Sequence, residues 1–316
     1  MRTTPALRRL VAESMLSVDD LITPIFVREG IDSPVEIPSL PGVYQHSVGS
    51  AAEFCKQLAD LGIPGAIIFG VPETKDETGS AAWNPKGIAQ IAISAIKSAV
   101  GDGLVVMADL CLDEYLSSGH CGVLDASGDV DNDSTLELYA KVAIAQADAG
   151  VDLVGPSGMM DGQVGVIRSA LDSAGYDHVG IMAYSAKYAS ALYGPFRDAV
   201  DVRIADGGNR STYQQDYHNA KESLSEMLAD IEQGADIVMV KPAMTYLDIV
   251  SLANRNVTVP VAAYHVSGEY AMIKAAAANG WIDGDAVAME QLTAIKRAGA
   301  SMILTYFAPF ISELLG

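Results

Sequence analysis

Eight short apolar runs recur along the chain with helix-period segments between them, and this alternation constrains the fold more than any other feature. The runs are 21–27 (LITPIFV), 66–71 (AIIFGV), 104–109 (LVVMAD), 152–156 (DLVGP), 179–183 (VGIMA), 236–240 (DIVMV), 260–264 (PVAAY) and 302–306 (MILTY). They lack polar alternation, as strands buried on both faces of a parallel sheet do. Helices are expected near 51–61, 85–100, 134–150, 163–174, 214–233, 246–254, 270–279 and 286–298. The segment 134–150 is the clearest, with an Asn/Asp/Ser-rich start and Gly150 as its stop. Eight β/α repeats imply a closed barrel or a doubly wound open sheet. No GxGxxG follows the first run, which weakens the dinucleotide-binding version. A single (β/α)8 TIM barrel domain over residues 1–316 is therefore expected, with 1–10 as a short N-terminal arm. Residues 116–133 and the pair Gly207 and Gly208 read as long loops on the active face.

Charge narrows the function. The formal net charge is −20, from 40 acidic and 20 basic residues. A nucleic-acid binder needs a basic patch, and an anionic membrane surface needs one too; neither is present. The acidic excess serves solubility. No run of about 18 uncharged apolar residues suggests a membrane span. Arg2, Arg8 and Arg9 are not followed by an apolar signal core, so a cytoplasmic location is expected. Cys55, Cys111 and Cys121 are too few, and odd in number, for a disulfide framework. Cys55 falls on a helix face and reads as core.

A barrel places its chemistry at the C-terminal ends of its strands. Polar residues recur there: Asp109 ends the third run, Ser157 follows the fourth, Lys187 the fifth, Lys241 the sixth and Ser267 the seventh, and Tyr306 ends the eighth. An amine held at an apolar barrel mouth loses its proton through desolvation, more so beside a second cation. A neutral Lys241 could then attack a ketone and form a Schiff base, with Lys187 as the second cation. The plain alternative is two surface lysines, the usual place for that residue. Two lysines each following a buried run favour the catalytic reading.

The motifs reached by this route resemble those of the porphobilinogen synthase (5-aminolevulinate dehydratase) family over nearly the whole chain. RTTPALRRLVAE, DDLITPIFVREG, KDETGSAAWNPKG, DLCLDEYLSSGHCG, GPSGMMDGQVG, IMAYSAKYASALYGPFRDA, NRSTYQ, DIVMVKPAMTYLDIV, VSGEYAMIKAAA and LTYFA occur in the family's order. The resemblance implies a lyase of tetrapyrrole (haem) biosynthesis. It would condense two 5-aminolevulinate molecules to porphobilinogen with loss of two waters. Lys241 would form the Schiff base with the substrate that supplies the propionate arm, and Lys187 would be the second active-site lysine. Ser267 and Tyr306 resemble the residues that hold the first substrate's carboxylate. Arg197, Arg210 and Gln214 resemble those that hold the second, and a guanidinium forks well onto a carboxylate. Asp109 resembles the aspartate that orients a substrate amine, Ser157 borders the site, and Tyr193 and Phe196 lie in the segment that resembles the lid.

Cys111, Asp113 and Cys121 place two thiols and a carboxylate within eleven residues. Thiolate selects zinc and carboxylate is an acceptable third ligand. The plain alternative is two buried free cysteines. The family has a three-cysteine zinc form and a carboxylate form that needs no zinc there, and this sequence is a hybrid. Ser118 stands where many members have histidine, beside His120. By the same resemblance Glu226 matches a glutamate that binds an allosteric magnesium. The family forms octamers through its arm, so a homo-oligomer is expected, with a dimer or hexamer open because the arm is short.

The sequence also departs from the pattern. The family usually reads SDMMDGR, whereas Gly158 and Gln163 here remove a carboxylate and a cation. Their joint loss avoids an unpaired buried charge. His265 replaces a usual glutamine, and Ser211 a common lysine. These departures keep a second function in view, a divergent Schiff-base lyase or aldolase acting on another keto acid. A third, a non-catalytic paralogue, is opposed by the two retained lysines.

Overall fold

The structure is a computed structural model that describes residues 1–204 and 209–316, so Gly207 and Gly208 lie outside the described residues. Eight parallel strands form the barrel: β1 (Leu21–Arg28), β4 (Gly65–Val71), β5 (Val105–Leu110), β6 (Leu153–Pro156), β7 (Gly180–Lys187), β8 (Ile237–Lys241), β9 (Val261–His265) and β10 (Met302–Thr305). Each pairs with the next, and β10 pairs back onto β1 through Leu21 with Ile303 and Ile22 with Leu304, which closes the ring. Closure removes both sheet edges. A small annex, β2 (Val35–Glu36) and β3 (Tyr44–His46), adds to the outer end of β1.

Every strand foreseen from the apolar runs is present. The runs are apolar throughout because both faces are covered: the first seven residues of β1 and all of β4 are buried. Helices return the chain between strands: α2 (Val48–Asp60), α3 (Ile88–Val100), α4 (Asn132–Asp148), α5 (Gln163–Ser173), α7 (Lys221–Glu232), α8 (Leu247–Asn256), α9 (Ser267–Ala278) and α10 (Gly284–Ala298). Local chemistry starts and stops them. Asp131 caps α4 by accepting from Ser134 N at 3.1 Å, and Asp283 caps α10 through Ala286 N at 3.1 Å. Gly299, with φ of 117°, ends α10 in the left-handed region that glycine favours.

Three helices were not foreseen: α1 (Pro5–Leu10), α6 (Gly194–Ala199) and α11 (Ala308–Leu315). The first has no buried residue, so the segment expected as an arm is a helical turn standing off the barrel. One helix starts later than expected. Residues 214–220 remain in a loop, and α7 begins at Lys221, because the Gln215 backbone is bonded to Lys187 and Ala189 at the barrel mouth. No described helix is long and apolar enough to cross a membrane.

Candidate active site

The strand-end residues converge as the barrel geometry requires. Lys187 and Lys241 are the last residues of β7 and β8 and pair with each other in the ladder. The sequence placed both just beyond their strands; in the structure the strands extend to include them. They are only 4% and 5% exposed, which rules out a pair of surface lysines. The Lys241 Nζ lies 4.4 Å from the Tyr264 ring centre, 5.0 Å from Tyr184, 5.1 Å from Phe196 and 5.3 Å from Tyr193. Burial first, and the neighbouring Lys187 charge second, bring its amine down to about 7. Both causes are those expected from the sequence.

Lys187 behaves oppositely. Burial disfavours its ammonium, but Cys121, Cys111 and Asp113 outweigh that and hold it above the ordinary lysine range. Its Nζ donates to the Ser157 carbonyl at 2.5 Å. Ser157 Oγ in turn donates to Asp109 Oδ2 at 3.1 Å, while Asp109 Oδ1 has no protein partner. Burial pushes the Asp109 carboxyl up to about 7, with Lys187 opposing that rise. A neutral amine, a fixed cation and a carboxyl able to hold or yield a proton thus lie close enough to set one another's charge at the barrel mouth. These are the components of imine chemistry on a ketone.

The segment carrying Tyr193 and Phe196 covers the mouth. Tyr193 donates its hydroxyl to the Tyr188 carbonyl at 2.8 Å and to the Lys241 carbonyl at 3.2 Å. Phe196 N donates to Ser267 Oγ at 3.0 Å. Ser267 therefore bonds this segment from the head of α9. Tyr306 is buried, with its hydroxyl 3.2 Å from that of Tyr264. On the outer side, Arg197, Arg210 and Gln214 line one cleft of about 180 Å³. Arg197 Nε, Arg210 Nε and Gln214 Nε2 are buried donors without protein partners. Unpaired buried donors are costly, so their convergence marks a place for an acceptor-rich group such as a carboxylate.

Cys111, Asp113 and Cys121 also meet, their ligand atoms all within 4.8 Å of one another. Two thiols with a carboxylate form a donor set that suits a metal ion, so the residues fit. Asp113 has a further engagement that the sequence did not suggest: its Oδ2 accepts from Arg210 Nη2 at 2.8 Å. That guanidinium holds the carboxyl below its usual range despite burial. His120 is not in the cluster and pairs with the Tyr213 hydroxyl at 3.1 Å. Glu226 lies elsewhere, half-buried on α7, in a groove of about 540 Å³ shared with Asp129, Asp161 and Glu222. Among the described residues, the sets of three or more close ligands do not include it. Cys55 is buried in α2, as expected.

The two departures at 158 and 163 have structural partners. A Cβ on Gly158 would stand 1.7 Å from the Tyr139 hydroxyl, so this phenol occupies the volume a side chain would need. Gln163 turns into its own loop, accepting from Met160 N at 3.2 Å and donating to the Pro156 carbonyl at 3.4 Å. Tyr139, Tyr184 and Tyr264 are site residues that sequence reasoning missed. Only their proximity in space, not their spacing, reveals them.

The family model for delta-aminolevulinic acid dehydratase matches residues 1–314. The chain belongs to the delta-aminolevulinic acid dehydratase family. Among curated relatives of that name, the protein of Streptomyces coelicolor is 55% identical over 100% of this chain and 96% of its own length. That of Mycobacterium leprae is 53% identical over 98% of this chain and 94% of its own. A solved delta-aminolevulinic acid dehydratase (porphobilinogen synthase) from Toxoplasma gondii, in complex with the reaction product porphobilinogen, superposes with a TM-score of 0.97 at 41% identity. That superposition covers 99% of this chain and 89% of the other. The delta-aminolevulinic acid dehydratase fold is thus present here in full barrel form, with the buried lysine pair at its mouth.

Proposed function

We propose that this chain is a porphobilinogen synthase, a lyase that condenses two 5-aminolevulinate molecules to porphobilinogen with loss of two waters. The observation that carries the reading is the Lys187–Lys241 pair, buried side by side with one amine neutralised near pH 7. Lys241 attacks the ketone of the substrate that supplies the propionate arm, and one water leaves as the imine forms. Lys187 keeps its proton and acts as the neighbouring cation at the second substrate. Asp109, with one buried oxygen that no protein group engages, orients that substrate's amine and exchanges a proton with it. Ser157 steadies Asp109 through its hydroxyl.

Ser267 and Tyr306 hold the first carboxylate, and Arg197, Arg210 and Gln214 the second. Tyr193 and Phe196 close over the pair and exclude water. Cys111, Asp113 and Cys121 would hold a zinc ion, which would polarise a substrate carbonyl as a Lewis acid. Glu226 would hold magnesium with water completing its shell, since that ion needs only one or two carboxylates. The protein works as a single barrel domain in the cytoplasm and assembles as a homo-oligomer. The competing reading, a lyase for another keto acid, is not favoured by a family match that runs from residue 1 to 314.

Incubation of purified protein with 5-aminolevulinate, followed by pyrrole detection with an aldehyde colour reagent, tests the proposal. Pyrrole should form, vanish with chelator and return with zinc. Pyrrole indifferent to chelator would keep the reaction and discard the essential metal. No pyrrole under any metal would refute the function.

A further inference from the structure

Strand β7 carries one residue more than β8 in the middle of their ladder. Ala183 pairs with Val238 and Ala186 with Val240, so three steps on β7 match two on β8. Side chains of a regular strand alternate, so Tyr184 and Lys187, three apart, would face opposite sides. The extra residue returns them to one side. Both do face the barrel interior: the Tyr184 ring centre is 5.8 Å from Lys187 Nζ and 5.0 Å from Lys241 Nζ. The bulge is what turns Lys187 toward Lys241.

A bulge takes backbone groups off the ladder, and they need other partners. One residue from a distant segment bonds the bulge at Ser185 and the strand end just beyond it. Gln215 N donates to the Lys187 carbonyl at 3.0 Å, and the Gln215 carbonyl accepts from Ala189 N at 2.9 Å. The Gln215 side-chain Nε2 donates to the Ser185 carbonyl at 3.1 Å. Its Oε1 accepts from Ser223 Oγ of α7 at 2.7 Å. Ser223 is itself 2.5 Å from the Tyr188 hydroxyl, which donates to the Asn219 carbonyl at 2.9 Å. Gln215 is 2% exposed, and its neighbour Gln214 lines the carboxylate cleft.

We propose that Gln215 is a positioning residue for the reaction: it clamps the β7 bulge and so sets where Lys187 stands relative to Lys241. The inference rests on the reading of Lys241 as the imine-forming residue. Its consequence is electrostatic. Lys187 is second only to burial in keeping the Lys241 amine neutral, while Asp109 from β5 and Asp113 and Glu114 from the following loop act the other way. The remaining groups against Lys241 are the phenols of Tyr184, Tyr193 and Tyr264 and the ring of Phe196. Releasing the clamp lets Lys187 withdraw, and the Lys241 amine then holds its proton to higher pH.

The test uses levulinate, a 4-oxo acid without the amine, trapped on the protein by borohydride across pH and located by peptide mass. The unsubstituted protein should trap at Lys241 with a midpoint near the value of about 7 that the site favours. Gln215→Met keeps the length, removes both side-chain bonds and adds no charge. Trapping should stay at Lys241 while its midpoint rises by about 0.5–1 pH unit. Gln90→Met, which removes the buried amide bond to the Ala82 carbonyl beside α3, should lower stability without moving the midpoint. If Gln215→Met does not fold, Ser223→Ala removes the bond that orients the amide, together with the contact to the Tyr188 hydroxyl, and must shift the midpoint the same way, by less. A folded variant of either kind with an unmoved midpoint overturns the proposal. Absence of any trapping at Lys241 in the unsubstituted protein defeats the imine reading itself, and the proposal falls with it.

Discussion

At the scale of single residues, the site is a set of buried polar groups whose neighbours define their chemistry. Gly158 illustrates how tightly they are set. The Tyr139 hydroxyl donates to the Cys121 carbonyl at 2.8 Å and lies 3.9 Å from Cys111 Sγ, and it does so in the space beside Gly158. Gly158→Ala should therefore cost about 1–3 kcal/mol by overpacking, read by denaturant unfolding. Combined with Tyr139→Leu, which frees that volume, the loss should be smaller than the sum of the two single losses. Additive losses would mean that the two residues do not compete for one space. The lysines were legible in the sequence because each follows a buried run, a position that carries meaning in a barrel. The aromatic rings around Lys241 and the phenol beside Gly158 were not. They come from strands and helices far apart in the chain, and only closure of the barrel brings them together.

At the scale of elements, the strands were legible because burial on both faces leaves a continuous apolar run. Helix boundaries were less so, and the late start of α7 shows why. Composition cannot reveal that Gln215 bonds the barrel mouth instead of joining the helix. The β7 bulge was equally invisible, since an extra residue in a ladder depends on the partner strand. Away from the chemistry, the opposite end of the barrel is held by side chains that act on backbone. Asp152 Oδ2 accepts from Val106 N at 2.7 Å, and both its oxygens accept from Lys97 Nζ, at 2.9 and 3.0 Å. Asp152→Ala strands a backbone donor and should cost about 1–3 kcal/mol. Thermal melting should fall while kcat and KM for pyrrole formation stay unchanged; a fall in kcat would show that this end of the barrel also governs the site.

At the scale of the whole molecule, the charge of −20 acts against compactness as well as against anionic partners. Raising ionic strength from 0.01 to 0.15 M shortens the screening length from about 30 to about 8 Å. Self-repulsion should weaken, giving a gain on the order of 1 kcal/mol and a rise of roughly 2 °C in Tm in sodium chloride. An unchanged or lower Tm would indicate that local ion pairs outweigh the net charge. The pairing of β10 with β1 sets a schedule of its own. Ile303 is synthesised about 280 residues after its partner Leu21. At ribosomal speeds that interval is roughly 15–60 s. For that time one side of β1 is an open edge of apolar backbone, which invites pairing with any other nascent chain. The window in which this enzyme is vulnerable to misassembly closes only when its last strand has left the ribosome.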